Sequence, residues 1–326
     1  MLLIVIPTLN EATHIAQVLS SALGFCTDPG DLIVVADGGS EDGTRLIVRQ
    51  MAVFEPRVHL LDNPRKLQAA GVNLAVSAFG TQATWLLRMD AHSAYPDDFA
   101  KILLDEARGR NADSVVVSMV AQGEGFWHRA IAAAQNSRIG NGGSAHRSQG
   151  PGKWVSHGHH ALMRISAFRE IGGYDPGFTH NEDAELDHRL TAAGFRIWLT
   201  GRTGLIYFPR RNLAALIRQY HAFGRGRRRN LAKHRAWPGA RQTLVAVLAP
   251  ALLCVTLAPL WWGFAIPFAL WMAGCLVSGA AIALRQNELA GCFSGLFAGA
   301  MHLAWSTGYW RQWLFPDRRL VGRRHE

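Results

Sequence analysis

The stretch Trp85-Leu86-Leu87-Arg88-Met89-Asp90-Ala91-His92-Ser93-Ala94-Tyr95-Pro96 sets the fold question for this chain. An apolar run leads to a carboxylate, a histidine follows two residues later, and Pro96-Asp97-Asp98 starts a helix. In an open α/β sheet the carboxyl ends of the strands are where ligands bind. One such strand end reads equally well as an Asx turn. The choice therefore rests on what the other strand ends carry.

Working outward, short apolar runs alternate with helix-like stretches. Residues 2–7, 32–37, 58–62, 85–90 and 114–120 read as strands, and 11–23, 42–53, 67–79 and 97–108 as the helices between them. The strands are nearly continuous Val, Ile and Leu, the composition of strands covered on both faces. The βαβα order predicts an α/β domain with a mostly parallel, Rossmann-like sheet. Asn10 before Glu11, and Ser40 before Glu41-Asp42, read as helix N-caps. Residues 121–235 have a looser pattern, and Gly140–Gly152 reads as a mobile loop. No internal repeat is visible.

The 326 residues correspond to about two domains. Cys26, Cys254, Cys275 and Cys292 show no paired spacing and read as small buried hydrophobes, not as disulfides or a metal site. Met1–Ile6 lacks a basic n-region and stops at Pro7, so the N-terminal part is expected in the cytosol. The net charge of +10 is uneven: no Asp or Glu occurs between Asp187 and Glu288, an interval holding Arg210, Arg211, Arg218, Arg225, Arg227, Arg228, Arg229, Lys233, Arg235 and Arg241. Such a cluster suits nucleic acid, anionic lipid or a phosphorylated substrate. Leu244 to Leu284 then carries no charge at all, long enough for two spans of roughly 20 residues each. Trp261-Trp262-Gly263 and Pro267 make the turn between them, with interfacial aromatics. Leu289–Trp310 is apolar but interrupted by His302, Ser306, Thr307 and glycines, and the sequence leaves open whether it spans. A basic tail follows, with Arg311, Arg318, Arg319, Arg323 and Arg324. The expected division is a cytosolic domain over 1–235 and a membrane region over 236–326 with two or three helices.

The strand ends can now be compared. The first ends Pro7-Thr8-Leu9-Asn10-Glu11, the second Asp37-Gly38-Gly39-Ser40-Glu41-Asp42-Gly43-Thr44, the fourth Asp90-Ala91-His92. Neighbouring edges thus carry acids and amides. The G-x-G-x-x-G turn of a dinucleotide fold and a P-loop are both absent from the sequence. Acids at strand ends suit ribose and base groups, with a divalent metal carrying the phosphates.

These motifs, together with Asn181-Glu182-Asp183-Ala184-Glu185-Leu186, resemble the family 2 inverting glycosyltransferases of the GT-A fold over about residues 2–230. Within that family the chain looks most like the succinoglycan-type exopolysaccharide glucosyltransferases, which add a C-terminal membrane region. The resemblance implies that Thr8 and Glu11 edge the nucleotide pocket, that Asp37 holds the uracil, and that Asp90 is the first acid of the D-x-D motif. His92 stands where most members have the second acid. Neutral imidazole is a competent ligand for Mn²⁺ and a poorer one for Mg²⁺. The cofactor expectation is a divalent metal, Mn²⁺ ahead of Mg²⁺, on Asp90 and His92. The other reading of His92 is a hydrogen bond to a phosphate oxygen.

Acids in the first turn of the 182 helix complement its dipole on any fold. By resemblance, Asp183 is the general base that takes the acceptor proton. Gln219, Arg225 and Arg227 occupy the place of the family's Q-x-x-R-W motif, although only Gln219 matches it directly. Arg225 or Arg227 is then the cation for the leaving diphosphate, and the same helix reads as a juxtamembrane lipid contact. His157, His159 and His160 lack a structural zinc spacing and read as an acceptor-side wall, with Gly158 giving a sugar close approach. Tyr174 and Trp154 stack on a sugar or fill the core.

The expected function is a multi-pass glycosyltransferase of the inner (plasma) membrane, its catalytic domain cytoplasmic. It would move a hexose from a UDP-sugar, UDP-glucose foremost, onto a polyprenyl-diphosphate-linked saccharide, with membrane lipid as a further partner. The alternatives are transfer to polyprenyl phosphate itself and a non-catalytic basic membrane binder. Nucleic acid is not an expected partner, since no nucleic-acid motif accompanies the arginines.

Overall fold

The computed structural model describes residues 1–144, 147 and 150–316. The arginines of the tail from 318 onward lie outside the described residues, as do four positions of the 140–152 loop. The chain divides into two compact units, Met1–Val120 with Ala145–Tyr207, and Ala121–Ser144 with Phe208–Glu326. The strands are β1 Leu2–Thr8, β2 Leu32–Asp37, β3 Val58–Asp62, β4 Trp85–Arg88, β5 Ser93–Ala94, β6 Ser114–Ala121, β7 Lys153–Val155, β8 His159–Arg164 and β9 Ile197–Tyr207. The α-helices are α1 Ile15–Phe25, α2 Thr44–Phe54, α3 Gln68–Phe79, α4 Phe99–Arg110, α5 Gly125–Asn136, α6 Arg138–Asn141, α7 Ile165–Glu170, α8 Glu182–Ala192, α9 Leu213–Lys233, α10 Ala240–Ala246, α11 Leu248–Val255, α12 Ile266–Gln286 and α13 Ala290–Leu314.

The first unit is built on a nine-stranded mixed sheet in the order β3-β2-β1-β4-β8-β6-β9-β5, with β7 also on β9. The half β3-β2-β1-β4 is parallel, as the alternation of strand and helix predicts. Residues 3–6 of β1 are fully buried, as befits a strand covered on both faces. Leu3, Val5, Val34, Val72, Val76 and Leu86 join one apolar cluster with Met163, Leu186 and Ile197. β8 runs antiparallel to both β4 and β6. This insertion is not legible beforehand: β8 reads His-His-Ala-Leu-Met-Arg, and β9 is interrupted by Gly201, Arg202 and Gly204.

Two expected helix caps are corrected. Asn10 is not an N-cap: it sits at φ 57°, donates its backbone N–H to Ser40 Oγ (2.8 Å) and accepts from the Glu41 N–H at Oδ1 (2.9 Å). It ties the first strand end to the second, and α1 starts only at Ile15. Ser40 is not a cap either. α2 starts at Thr44 behind Gly43, whose φ of 96° suits glycine, and Ser40 Oγ turns to Asp37.

The second unit is helical. α9 and α12 both pack on α13, and small residues let the backbones approach. A Cβ at Gly295 would overlap the Cys275 carbonyl, and one at Gly308 or Gly224 would overlap the carbonyls of His221 or Trp305. Among the described residues one helical stretch, Trp262–Gln286, is long and apolar enough to cross a membrane, with mean hydropathy 1.8. Where two spans are expected within Leu244–Leu284, one helix of spanning length and composition forms. The first half forms α10 and α11, together Ala240–Val255, short of the roughly 20 residues a crossing takes. Leu289–Trp310 lies almost wholly in α13.

Candidate active site

Asp37 ends β2 opposite Thr8 of β1 and is 1% exposed. Five donors converge on its carboxylate. Oδ1 accepts from the N–H groups of Gly39 (2.9 Å) and Ser40 (2.9 Å) and from Arg45 (2.9 Å). Oδ2 accepts from Ser40 Oγ (2.5 Å) and Thr8 Oγ1 (3.4 Å). Burial pushes toward the neutral acid, but the Ser40 and Arg45 hydrogen bonds outweigh it and keep Asp37 below the usual carboxylate range. The acid thus fixes the Gly38–Ser40 turn, and a base N–H reaches it only by displacing a protein donor.

Glu11 is held by its backbone N–H on Thr44 Oγ1 (2.9 Å) and places its carboxylate between two imidazoles, His14 (3.2 Å) and His92 (3.2 Å). Burial opposes its charge, and the two histidines more than compensate. His92 rests edge-on against Tyr207 of β9, ring centroids 6.1 Å apart.

Asp90 follows β4 by two residues. Its N–H donates to Tyr95 Oη at 2.6 Å, which fixes the turn that follows β4. Oδ1 faces Gln68 (3.2 Å) and the Arg88 guanidinium (3.5 Å), and Oδ2 faces His159 Nε2 (3.5 Å). Burial alone would neutralise Asp90, but Arg88 and His159 hold it far below the usual carboxylate range.

Arg88 is the residue that sequence reasoning missed. It ends β4 and is 7% exposed. Nη1 donates to Asp183 Oδ1 (2.5 Å) and to Tyr174 Oη (3.0 Å), and Tyr174 Oη itself donates to Asp183 Oδ1 (2.9 Å). Burial works against the guanidinium charge, but Asp183 foremost, and Asp90 beside it, secure that charge. Tyr174 is locked in turn: its N–H and C=O pair with the Asn73 side chain at 2.9 and 2.7 Å. It fills the core, as one of its two sequence readings held. A signal for Arg88 existed, since a charge between Leu87 and Met89 in a buried strand needs a partner.

Asp183 lies in the first turn of α8 with Glu182 and Glu185. Burial and the neighbouring Asp183 charge push the Glu182 carboxyl up to about 7. One helical turn on, buried Asp187 accepts from His157 Nδ1 (2.6 Å) and the Gly158 N–H (3.2 Å). A Cβ at Gly158 would strike the Val116 side chain, so packing alone already requires glycine there. Of the histidines at 157, 159 and 160, the first two each face an acid, and the side chain of the third lies outside the described residues. His157 faces Asp187 and His159 faces Asp90, while Trp154 lies between Arg196 (3.7 Å to the ring centroid) and Trp198. The structure thus unites Thr8 with Asp37, Glu11 with His92, and Asp90 with Asp183 through Arg88. Gln219, Arg225 and Arg227 belong to α9 of the helical unit.

Among the described residues no three His, Cys, Asp or Glu side chains form a metal cage. Asp90 with His159 offers one carboxylate and one imidazole. That donor set fits a divalent cation completed by phosphate oxygens and water, not one enclosed by protein.

Residues 3–172 match Glycosyl transferase family 2. The chain belongs to that family. This glycosyltransferase is 49% identical over 319 residues to the succinoglycan biosynthesis protein ExoA of Rhizobium meliloti (strain 1021), covering 98% of this chain and 97% of the relative. It is 29% identical over 125 residues to the polyprenol monophosphomannose synthase of Mycolicibacterium smegmatis, 37% of this chain and 46% of that one. Its fold is shared with the mannosyltransferase PcManGT from Pyrobaculum calidifontis, solved with GDP-Man and Mn²⁺. The TM-score is 0.54 at 21% identity, over 92% of this chain and 85% of that one. Family membership sets aside the reading of a non-catalytic membrane binder.

Proposed function

We propose that this glycosyltransferase transfers a hexose from a UDP-sugar to a lipid-linked saccharide in the synthesis of an exopolysaccharide of the succinoglycan type, at the cytoplasmic face of the membrane. The observation that carries the reading is the single guanidinium of Arg88, fastened to Asp183 on one side and Asp90 on the other. The near full-length similarity to ExoA supports the biosynthetic role.

Asp183 acts as base on the acceptor hydroxyl. Arg88 and Tyr174 both donate to its Oδ1 and so aim the carboxylate. Asp90 faces the donor diphosphate, with Thr8, Glu11 and the Asp37 turn forming the nucleotide edge. A divalent cation, Mn²⁺ ahead of Mg²⁺, would be held by Asp90 with His92 or His159 and would neutralise charge on the leaving diphosphate. Gln219, Arg225 and Arg227 are assigned to the same diphosphate by resemblance alone. The helical unit supplies the anchor, with α12 as a span and a multi-pass arrangement.

The test is nucleotide release by the purified full chain with UDP-glucose, other UDP-hexoses and GDP-mannose, with and without membrane lipid extract. Faster release from a UDP-hexose when lipid-linked saccharide is present supports the reading. Release from GDP-mannose alone overturns the donor. Equal rates with unglycosylated polyprenyl phosphate would favour direct transfer to that lipid, the reading the short similarity to the mannose synthase supports.

A further inference from the structure

The helical unit carries a half-open surface cavity of about 370 Å³ that the glycosyl-transfer site does not use. One wall is the junction of α5 and α6, with Asn136, Ser137 and Arg138. The other is one face of α12, where Ser278, Ile282 and Arg285 recur at helical spacing. Asn136 closes its amide on the backbone of Ala121 (2.8 Å each way), and Ser137 Oγ donates to the Ala134 carbonyl (2.6 Å). These bonds hold the junction in shape. The two guanidiniums are treated differently. Among the described residues neither Arg138 nor Arg285 has a carboxylate partner. The described part of this unit carries only Glu124 and Glu288 as acids, and Glu288 is taken by Arg129 at 2.6 Å.

Helix-dipole complementation accounts for one arginine in the last turn of α12. It does not account for a second on the opposite wall of the same cavity. Arg138 and Arg285 are both exposed at this opening, and two such like charges side by side attract an anion. Arg285 closes the one described helix apolar enough to span a membrane, so the anion meets the pocket at the depth of lipid headgroups. Ile282 adds an apolar wall beside the charges. Basic pockets beside membrane helices bind phosphate headgroups.

We infer that this cavity is a binding site for the phosphate headgroup of an anionic membrane lipid, with Arg138 and Arg285 as its paired ligands. The inference rests on the membrane reading of α12. It is tested by native mass spectrometry of the detergent-purified full chain titrated with phosphatidylglycerol. Arg138→Gln with Arg285→Gln is expected to weaken the tightest bound lipid about 30-fold, at about 1 kcal/mol for each arginine. A charge-matched pair on the sheet unit, Arg49→Gln with Arg108→Gln, is expected to bind as wild type. Ile282→Trp fills the cavity, keeps both charges and is expected to lose the lipid as well. Wild-type binding by the double variant or by Ile282→Trp overturns the inference. So does equal loss in the charge-matched pair, which would make the effect general electrostatics. Displacement of the lipid by millimolar inorganic phosphate would make free phosphate the ligand and overturn it too. Membrane retention after a high-salt wash is measured on the same preparations. A chain that washes off overturns the membrane reading, whereas one that stays but retains no lipid overturns the site.

Discussion

Arg88 Nη1 lies 2.5 Å from Asp183 Oδ1, a buried guanidinium holding the carboxylate on the first turn of α8 to the end of β4. Residues 95 apart in sequence are thereby set to one geometry. Bidentate, planar recognition is something Arg does and Lys does not. Arg88→Lys should keep a charge near Asp183 but lose the simultaneous reach to Tyr174 and Asp90. Turnover is expected to fall by about 10²-fold, as for a misplaced catalytic group. Arg88→Met leaves buried carboxylates uncompensated and should cost about 3–5 kcal/mol of stability. Steady-state kinetics and thermal melts of both variants check this. Turnover within a few fold of wild type in Arg88→Lys would separate Arg88 from the base.

Asp183→Asn keeps size and removes the proton acceptor. Turnover should drop by about 10²–10⁴-fold, with nucleotide affinity near normal by calorimetry. A small effect would point to Glu182, the neighbouring acid whose pKa near 7 suits a base.

Glu182 also gives a stability signature. Its folded pKa, about 7, lies above the ordinary value of 4.5, so the folded state binds the extra proton. That contribution is fully present below pH 4.5 and is lost as pH rises through 7. Glu182→Gln should therefore melt close to wild type at pH 5 and above it at pH 8, by on the order of 1–3 kcal/mol. A gain that is the same at both pH values would contradict the shift.

The Asp37 carboxylate carries five protein hydrogen bonds. Asp37→Ala should therefore do two things: lower stability and weaken UDP binding, each by roughly 1–3 kcal/mol. If melting is unchanged while UDP binding is lost, the acid contacts the base and is not needed for the turn.

Much of this was readable in advance, for physical reasons. Continuous Val/Ile/Leu runs such as Leu2–Ile6 admit little besides a strand buried on both faces, so the parallel half of the sheet was legible. The acids at 37 and 90 stand out because an ionised group closing an apolar run needs a purpose, whereas Asp183, in the polar stretch 180–187, stands out only through the family resemblance. β8 was not legible, since His159-His160-Ala161-Leu162-Met163-Arg164 has no clean period of two. The caps failed because Asn10 and Ser40 serve the other strand's loop, a tertiary use of residues that local rules assign to helix starts. Arg88 was hidden as a site residue, and the approach of His159 to Asp90 was not legible, because their partners lie on α8 and beyond another strand, which only the topology brings together.

The least conventional position, His92, supplies the last prediction. The resemblance puts His92 in the D-x-D motif beside Asp90, but the structure puts its Nδ1 on Glu11 (3.2 Å) and brings His159 Nε2 to Asp90 (3.5 Å). The two imidazoles can be told apart by metal. If His159 completes the cation site, His159→Ala should raise the half-saturating Mn²⁺ concentration for activity by about tenfold or more, the usual size of a lost ligand's support. His92→Ala should then act mainly through Glu11, weakening nucleotide affinity at every metal concentration. If His92 is the ligand, the effects exchange places. His92→Asp sharpens the comparison, because a carboxylate there would favour the harder cation and shift preference from Mn²⁺ toward Mg²⁺. Titration of both metals against wild type and the three variants decides it. An unchanged metal requirement in both alanine variants would leave Asp90 as the sole protein ligand and rule out an imidazole at the cation.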